Sequence, residues 1–290
     1  MLPMLRRFKH KIDFAALKKA RREGPAGLEL STSGRGPWIQ FREPAGCVWT
    51  VARIPIRGLP AALHGLRVLH LSDLHLRPFW TRAYDEILER IRQSPPDLIL
   101  FTGDFINDKY DHRPSLPFVR RFIAGLVAKH GVFGILGNHD PDVLLAHVAA
   151  AGVRIVTDRQ VIVPVRGGQV EIIGLPGPSR YDLDLGFVKA LPPREMGRPR
   201  IVLCHYPDLF FATDQLDPDL YLAGHTHGGQ ICLPSGYPII THDRMPRAFA
   251  KGIHRVNSTW YAVSNGLGFT GLPIRLFCPA EAVEFVLRGE

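Results

Sequence analysis

The chain has 290 residues, 46% of them hydrophobic and 22% charged, which excludes a disordered chain and allows a sizeable buried core. The net charge is +9, but it is unevenly placed. Residues 1–22 hold eight of the 36 basic residues and one acid, Asp13, so this segment carries +7 and the rest of the chain +2. This distribution excludes a uniformly basic surface. No stretch reaches the roughly 20 apolar residues of a membrane-spanning helix.

The first 22 residues have the pattern of a basic amphipathic helix. Its predicted apolar side consists of Leu2, Leu5, Phe8, Ile12, Ala15 and Ala16. Such helices bind anionic bilayers, so we expect residues 1–22 to contact a membrane surface. The alternative is a solvated basic tail; nucleic acid is a weaker alternative, since no recognition motif accompanies the charge. Asp13, Lys18 and Lys19 interrupt any apolar run, so no export signal is expected. We therefore expect a cytoplasmic protein, peripheral on the inner face of the membrane if the arm binds lipid.

The four cysteines support the same compartment. Cys47, Cys204, Cys232 and Cys278 lie far apart without a CxxC spacing, which argues against a zinc ribbon. We expect them to be reduced, buried thiols.

Residues 24–44 are rich in Gly, Pro and Ser and predict an irregular connector. We therefore divide the chain into a basic arm and linker, residues 1–45, and one domain, residues 46–290. The sequence of the domain first predicts strands that alternate with helices: strands at 48–56, 67–71, 97–101 and 132–136, and helices at 82–93, 116–128 and 143–151. It then predicts a hairpin over 161–173, strands at 201–203 and 220–223, and β-like segments at 260–263, 275–277 and 282–287. Apolar strands that alternate with helices indicate parallel strands covered on both faces.

Five polar motifs follow apolar runs directly. They are Asp73-Leu74-His75, Gly103-Asp104, Gly137-Asn138-His139-Asp140, His205 and Gly224-His225-Thr226-His227. In open α/β sheets the ligand crevice lies beyond the carboxyl ends of the strands. Motifs spread over more than 150 positions are thus expected to converge on one site.

The side chains of these motifs suit a pair of divalent metal ions. In an extended segment, Asp73 and His75 would point the same way, and Asp104 has two oxygens that can bridge two metals. The other predicted ligands are Asn138, His205, His225 and His227. The absence of cysteine from the set leaves Mn, Fe, Zn or Co. Two such ions about 3.5–4 Å apart activate a bridging hydroxide to attack phosphorus.

The Gly137–Asp140 motif supports two interpretations, which are compatible. His139, next to a predicted ligand, is the predicted catalytic acid, and Asp140 would orient it or a neighbouring loop. The alternative is an Asx turn that caps the following helix.

Together, the five motifs resemble those of the calcineurin-like metallophosphoesterases, over about residues 66–280. The resemblance implies an α/β fold, a four-layer α/β/β/α sandwich of two packed mixed sheets flanked by helices. It also implies that Asp73, His75, Asp104 and His227 hold one metal, and that Asp104, Asn138, His205 and His225 hold the other. Residues 224–230 and 264–275 resemble a bacterial branch that includes membrane-associated phosphodiesterases and a form of UDP-2,3-diacylglucosamine pyrophosphatase.

The substrate is less well defined. The leading hypothesis is a phosphodiester, pyrophosphate or phosphomonoester, in a lipid-linked substrate such as a UDP-diacylglucosamine or a phospholipid. The alternatives are a soluble nucleotide phosphodiesterase or phosphatase and, more remotely, a non-catalytic scaffold. The loops 78–80 and 268–273 would hold acyl chains or enter a bilayer, or else simply pack on the body. Arg77, Arg180 and Arg275 are candidate phosphate contacts, and no protein partner is inferred.

Overall fold

Two mixed sheets pack face to face in the computed structural model, which describes residues 11–34, 36, 38–42, 44–175 and 185–290. The first sheet has the order β1 (Glu29–Ser33), β3 (Cys47–Ile56), β15 (Ala280–Gly289), β4 (Leu66–Leu71), β5 (Leu98–Phe101), β6 (Val132–Gly134) and β7 (Val153–Ile155). The second has the order β12 (Gly252–Val256), β13 (Thr259–Val263), β11 (Leu220–Ala223), β10 (Arg200–Leu203), β9 (Gly168–Gly174) and β8 (Arg159–Val165). A small third sheet pairs β2 (Ile39–Phe41) with β14 (Ile274–Leu276).

Each long strand divides its side chains between two cores. On β4, Leu66 and Val68 face the second sheet, whereas Leu69 and Leu71 face the helices outside the first. This follows from the two-residue period of a strand. Because both faces are covered at the centre of each sheet, strands such as β5 and β11 are apolar throughout, as the sequence pattern indicated.

Helices cover the outer face of both sheets. The first sheet carries α2 (Arg82–Gln93), α3 (Leu116–Ala124) and α4 (Leu144–Ala151). The second carries α1 (Phe14–Glu23), α5 (Leu185–Ala190) and a short 3-10 helix, Pro207–Ala212. The predicted four-layer α/β/β/α sandwich is confirmed. Within the described ranges, no helix is long and apolar enough to cross a membrane.

The arm is partly folded onto the body. Asp13 caps α1 by accepting the N–H groups of Ala15 and Ala16, at 2.9 Å each. Ala16 and Leu17 are buried against the second sheet, whereas Ala15 is exposed, so its predicted place on the apolar side is wrong. The basic residues Lys18, Lys19, Arg21 and Arg22 point to solvent. The predictions for Leu2, Leu5 and Phe8 fall outside the described residues.

The prediction of an irregular connector over residues 24–44 is wrong. β1 pairs with β3 and β2 pairs with β14, so this segment adds strands to two sheets. Both are short, and β1 is exposed along its whole length, so neither shows the apolar alternation by which strands are recognised. The division of the chain near residue 46 stays a prediction.

Most other elements form where expected. Helix α3 ends at Ala124, four residues early, because Gly125 caps it through an N–H bond to the carbonyl of Arg121. β7 and β12 were not predicted. Strands β4 to β7 are parallel, as are β9, β10, β11 and β13, so within each group the carboxyl ends lie at one edge of the sheet.

Candidate metal centre

The loops that follow the parallel strands are hydrogen-bonded to one another. The N–H of Asp73 donates to the Gly103 carbonyl at 2.9 Å, and the N–H of His75 donates to the Asp104 carbonyl at 3.0 Å. In the second sheet, the N–H of Gly224 donates to the His205 carbonyl at 3.2 Å. The predicted convergence of the motifs at the strand ends is therefore observed.

Four of the predicted ligands form a buried cluster. Their candidate ligand atoms lie within 4.8 Å of one another, and they are Asp73, His75, Asp104 and His227. Nε2 of His75 is 3.0 Å from Nε2 of His227 and 3.3 Å from Oδ2 of Asp104. Nε2 of His227 is 3.5 Å from Oδ1 of Asp73.

The other three predicted ligands adjoin this cluster through Asp104. Nε2 of His205 lies 3.5 Å from Oδ2 of Asp104 and 2.9 Å from Oδ1 of Asn138. The same Asn138 oxygen is 2.9 Å from Nδ1 of His225. The geometry thus brings all seven residues together, with Asp104 between the two groups; their roles as ligands stay a prediction.

Backbone strain is concentrated at these residues. Five of the seven have a positive φ, namely Asp73, His75, Asp104, His225 and His227. The prediction that Asp73 and His75 lie on an extended segment is therefore wrong. Left-handed backbone is costly for residues other than glycine and persists where the surroundings impose it, often at functional sites. Neighbouring hydrogen bonds supply that constraint, since both carboxylate oxygens of Asp73 accept the N–H of His225, at 3.0 and 3.2 Å.

The side-chain atoms of His205, Asn138 and Asp104 that face one another suit a bound cation. Nδ1 of His205 donates to the Thr102 carbonyl at 2.7 Å, so the neutral ring presents a bare Nε2. That lone pair faces the oxygens of Asn138 and Asp104, which are also acceptors. Burial lowers the pKa of His205, but the adjacent Asp104 carboxylate outweighs it and raises the pKa to about 9. A proton on His205 or a metal ion can compensate these converging acceptors, and metal binding displaces the proton.

The pKa of Asp104 is shifted in the opposite direction to that of His205. Burial would raise the pKa of its carboxyl, but the imidazoles of His205 and His75 hold that pKa well below its usual range. The N–H of His139 also donates to Oδ1 of Asp104 at 2.8 Å. Asp104 therefore stays ionised at the centre of the site.

A chain of buried hydroxyls leads to Asp73. Ser72 Oγ donates to Oδ2 of Asp73 at 2.6 Å, and Thr102 Oγ1 donates to Ser72 Oγ at 2.6 Å. His70 Nε2 lies 2.9 Å from Thr102 Oγ1, whose proton is already used, so His70 is the donor. Burial lowers the pKa of His70 to about 3, which keeps its ring neutral.

His139 lies at the side of the cluster. Its ring meets that of His75 edge to face, with centroids 4.7 Å apart, and its Nδ1 donates to the Asn107 carbonyl at 2.9 Å. Burial lowers the pKa of His139, although Asp104 opposes this effect. The neutral ring therefore has its lone pair on Nε2.

Asp140 braces the loops and does not cap a helix. Oδ2 accepts the N–H of Gly137 at 2.9 Å, and Oδ1 accepts the N–H groups of Phe105 and Ile106 at 2.8 and 3.3 Å. Helix α4 has Val143 at its N-cap position, without a side-chain cap, so the capping interpretation is wrong. The alternative, that Asp140 holds a neighbouring loop, agrees with these bonds.

Two further residues support the site. Arg275, a candidate phosphate contact, is fully buried and donates to the carbonyls of Gly268 and Asn265 and to Nδ1 of His227, the last at 3.3 Å. It therefore holds loops together and is not open to a substrate. Tyr206 packs edge-on against His205 and His225. Residue type alone gave no signal for either role, because both depend on distant loops.

The other residues that were predicted to contact the substrate differ in where the structure places them. Arg77 lies beside His75 in a small crevice that also contains Arg42 and Phe79. Trp80 packs against Tyr84, and Phe269 is buried, so these aromatic residues follow the packing alternative. Arg180 is outside the described residues.

An apolar cavity of about 470 Å³ opens beside the cluster. Its wall includes the predicted ligands His225 and His227 on one side. The aliphatic residues of the lining are Ile231, Ile239, Ile240 and Leu272. The 268–273 loop, which the sequence put forward for acyl chains, contributes Thr270, Gly271 and Leu272 to the lining. The rest of the lining, between residues 225 and 242, gave no signal.

Substitution of Gly224 should weaken metal binding. A β-carbon at this position would overlap Ser72 Oγ and Oδ2 of Asp73. We expect Gly224→Ala to lower metal affinity about 10- to 100-fold, as displacement of a supporting group commonly does. Gly289→Ala is the matched control, since nothing lies within 4 Å of its β-carbon. Equal affinities of the two variants by calorimetric titration would contradict this prediction.

His70 should make stability depend on pH. Its folded pKa of about 3 lies below the unfolded value of about 6.5, so its contribution is complete above pH 6.5 and declines as pH falls towards 3. Between pH 7.5 and 5.5 the metal-free wild type should lose about 1.4 kcal/mol of unfolding free energy more than His70→Gln. Urea denaturation at both pH values measures this, and parallel losses in the two proteins would refute the assignment.

Comparison with known proteins agrees with this site. The family model described as calcineurin-like phosphoesterase matches residues 66–229. The metallophosphoesterase YkuE of Bacillus subtilis is 32% identical, over 90% of this chain and 92% of its own length. The phosphodiesterase YaeI of Escherichia coli is 31% identical, over 74% and 79%. A Bos taurus transmembrane protein with a metallophosphoesterase domain is 26% identical, over 83% and 57%. With its buried Asp and His cluster, the chain is a metal-dependent phosphoesterase and belongs to the calcineurin-like phosphoesterase family.

Proposed function

We propose that this enzyme hydrolyses a phosphodiester or pyrophosphate bond in a lipid-linked substrate at the inner face of the membrane. The observation that carries the proposal is the apolar cavity beside the metal centre. Its volume of about 470 Å³ lies within the range of small-molecule sites. A phosphate at the cluster would place its organic group against Ile239, Ile240 and Leu272.

The lining of this cavity favours an aliphatic group over a nucleobase. Proteins commonly hold bases by stacking them on aromatic rings. Among the described residues that line the cavity there is no Phe, Tyr or Trp. Burial of alkyl groups against isoleucine and leucine is favourable by about 0.8 kcal/mol per CH₂. A UDP-diacylglucosamine or a phospholipid, each with acyl chains near a phosphate, has the required chemistry.

Two further observations support a membrane location. Helix α1 presents Lys18, Lys19, Arg21 and Arg22 to solvent, and each basic residue near an anionic surface adds about 1 kcal/mol of attraction. The buried Ala16 and Leu17 cannot enter a bilayer, so the described part of the arm would act through charge. The Bos taurus relative is named as a transmembrane protein, and YaeI as a phosphodiesterase.

Different residues of the chain would have different roles in the reaction. Bound divalent ions of Mn, Fe, Zn or Co would supply Lewis acidity and an activated water. Asp73, His75, Asp104 and His227 would hold one ion, and Asp104, Asn138, His205 and His225 the other. Ser72 donates a short hydrogen bond to the Asp73 carboxylate, and the His205 ring donates one to the Thr102 carbonyl. These bonds fix the carboxylate and the ring before substrate binds.

His139 would donate a proton to the leaving oxygen. The Asn107 carbonyl orients its ring, and the edge contact with His75 keeps it beside the cluster. A lowered pKa makes its protonated form a stronger acid, although that form is populated only at lower pH. Leaving groups that are poor without a proton should depend on it most.

Variants of Asp104 and His139 should fail in different ways. Asp104→Ala should lose metal and activity together, because this carboxylate lies between both groups of ligands. His139→Ala should keep metal and lose about 10²- to 10⁴-fold in rate on a phenyl phosphodiester. Its loss on bis-p-nitrophenyl phosphate, with the better leaving group, should be smaller. Elemental analysis and the two rates measure this; full activity of His139→Ala on both esters would contradict its role.

Catalytic efficiency should rise with the length of an alkyl chain on the substrate. For short-chain alkyl p-nitrophenyl phosphodiesters below their micelle concentration, we expect kcat/KM to rise about two- to fourfold per CH₂ until the cavity is filled. Ile240→Asn should flatten this dependence. A flat series in the wild type, together with faster turnover of a nucleoside p-nitrophenyl phosphate, would favour a soluble nucleotide phosphodiesterase instead.

A further inference from the structure

The small β2–β14 sheet has an inverted pattern of burial. On β2, Ile39 and Phe41 are exposed, whereas the polar Gln40 between them is buried. On β14, Arg275 is fully buried while Ile274 and Leu276 are partly exposed. The register pairs Ile274 with Phe41 and Leu276 with Ile39, so these four side chains share one face. The outer face of this sheet is therefore apolar and its inner face polar, the reverse of an ordinary surface sheet.

This apolar face continues into the neighbouring loop. Ile231 forms a parallel bridge with Leu276, and Cys232 forms an antiparallel bridge with Pro238. The turn between them exposes more large apolar side chains. We call the whole surface the apolar rim, and it consists of Trp38, Ile39, Phe41, Leu233, Tyr237, Ile239, Ile240 and Leu272. Trp38 is 76% exposed, Leu272 65% and Phe41 64%, so the rim projects into solvent.

The rim is continuous with the wall of the cavity beside the metal centre. Ile239, Ile240 and Leu272 belong both to the rim and to the cavity lining. A protein that covered this surface would close the entrance. A fluid bilayer covers the same apolar groups while leaving a route from the lipid into the cavity. Contiguous exposed apolar surface of this kind commonly marks a contact site.

The segment that supplies most of the rim is poor in acidic residues. Residues 224–280 contain one acid, Asp243, and five arginine or lysine residues. Of these, Arg244 and Arg247 are exposed, and Arg42 follows Phe41 directly and is exposed as well. Apolar groups flanked by basic residues are typical of proteins that lie on anionic lipid.

We propose that the apolar rim docks onto an anionic lipid bilayer, so that the cavity entrance and the metal centre face the lipid. The proposal rests on the proposed function, because that function places the substrate in the membrane. It differs from the basic arm in mechanism: the rim inserts apolar side chains, whereas α1 contributes charge. Insertion should therefore survive salt concentrations that screen the arm.

The test compares two triple variants of the full-length enzyme. Trp38→Ser/Phe41→Ser/Leu233→Ser removes rim residues that do not line the cavity. Leu145→Ser/Ile162→Ser/Met196→Ser removes exposed apolar residues from α4, β8 and a distant loop, and is the matched control. We expect the rim variant to bind phosphatidylglycerol–phosphatidylcholine vesicles at least tenfold more weakly in 0.5 M salt, and the control to bind within twofold of wild type. Both should hydrolyse bis-p-nitrophenyl phosphate at the wild-type rate, which shows that they are folded.

Fluorescence provides an independent readout of insertion. Trp49 and Trp260 are buried and Trp80 is half-buried against Tyr84 and Phe122, so nitroxide-labelled lipids should quench mainly the exposed Trp38. Most of the quenching should be lost in Trp38→Phe, and Trp80→Phe should retain it. The proposal would be overturned if the rim variant bound vesicles as tightly as wild type, or if labelled lipids did not quench the wild-type enzyme. It would also be overturned if the wild type bound no vesicles but formed a dimer that the rim variant lost. The rim would then be a self-association surface. If docking fails but the preference for longer alkyl chains is intact, only the docking proposal is contradicted. If docking is observed but the preference for longer chains is absent, only the proposed substrate is contradicted.

Discussion

The structure depends on positive charge, from protons or metal ions, that offsets the buried hydrogen-bond acceptors around Asp104. Two carboxylates, an amide oxygen and four imidazoles converge where water is largely excluded. Burial of such groups without a cation is costly, so the site is stable only with protons or metal ions among them. The protein maintains this arrangement by hydrogen-bonding the loops to each other and by accepting left-handed backbone at five of the seven residues. The two-sheet fold supplies the rigid ends from which those loops start.

The sequence predicted the elements that carry strong local signals. Apolar strands followed by Asp, His and Asn were recognisable because buried parallel strands and ligand chemistry both leave a pattern in the residues. The conformation of the Asp73–His75 segment was not predictable, since its positive φ values are imposed by loops over 150 residues away. β1 and β2 were missed for a related reason: they form through pairing with distant strands, and Ile39–Phe41 has its apolar residues on the exposed side. The buried position of Arg275 depends on carbonyls of the 265–268 loop, which no spacing reveals.

Those failures share a physical cause. Sequence patterns assume that apolar residues face inwards and that strands are stabilised locally. Around the metal centre both assumptions break down, because polar groups are buried for chemistry and apolar groups are exposed. The cavity, the rim and the strained ligand loops all lie in this region, whereas the far ends of the sheets follow the ordinary pattern. This combination is what the proposed lipid-linked substrate would require.

The proposed two-metal chemistry depends most directly on where metal ions bind. Anomalous diffraction from crystals of the enzyme, recorded at the absorption edges of Mn, Fe, Co and Zn, locates each ion and identifies it. Two sites about 3.5–4 Å apart are expected, with Asp104 bound to both. One site should contact Asp73, His75 and His227, and the other Asn138, His205 and His225. A single site, or two sites that do not share Asp104, in a fully active enzyme would contradict the two-metal chemistry.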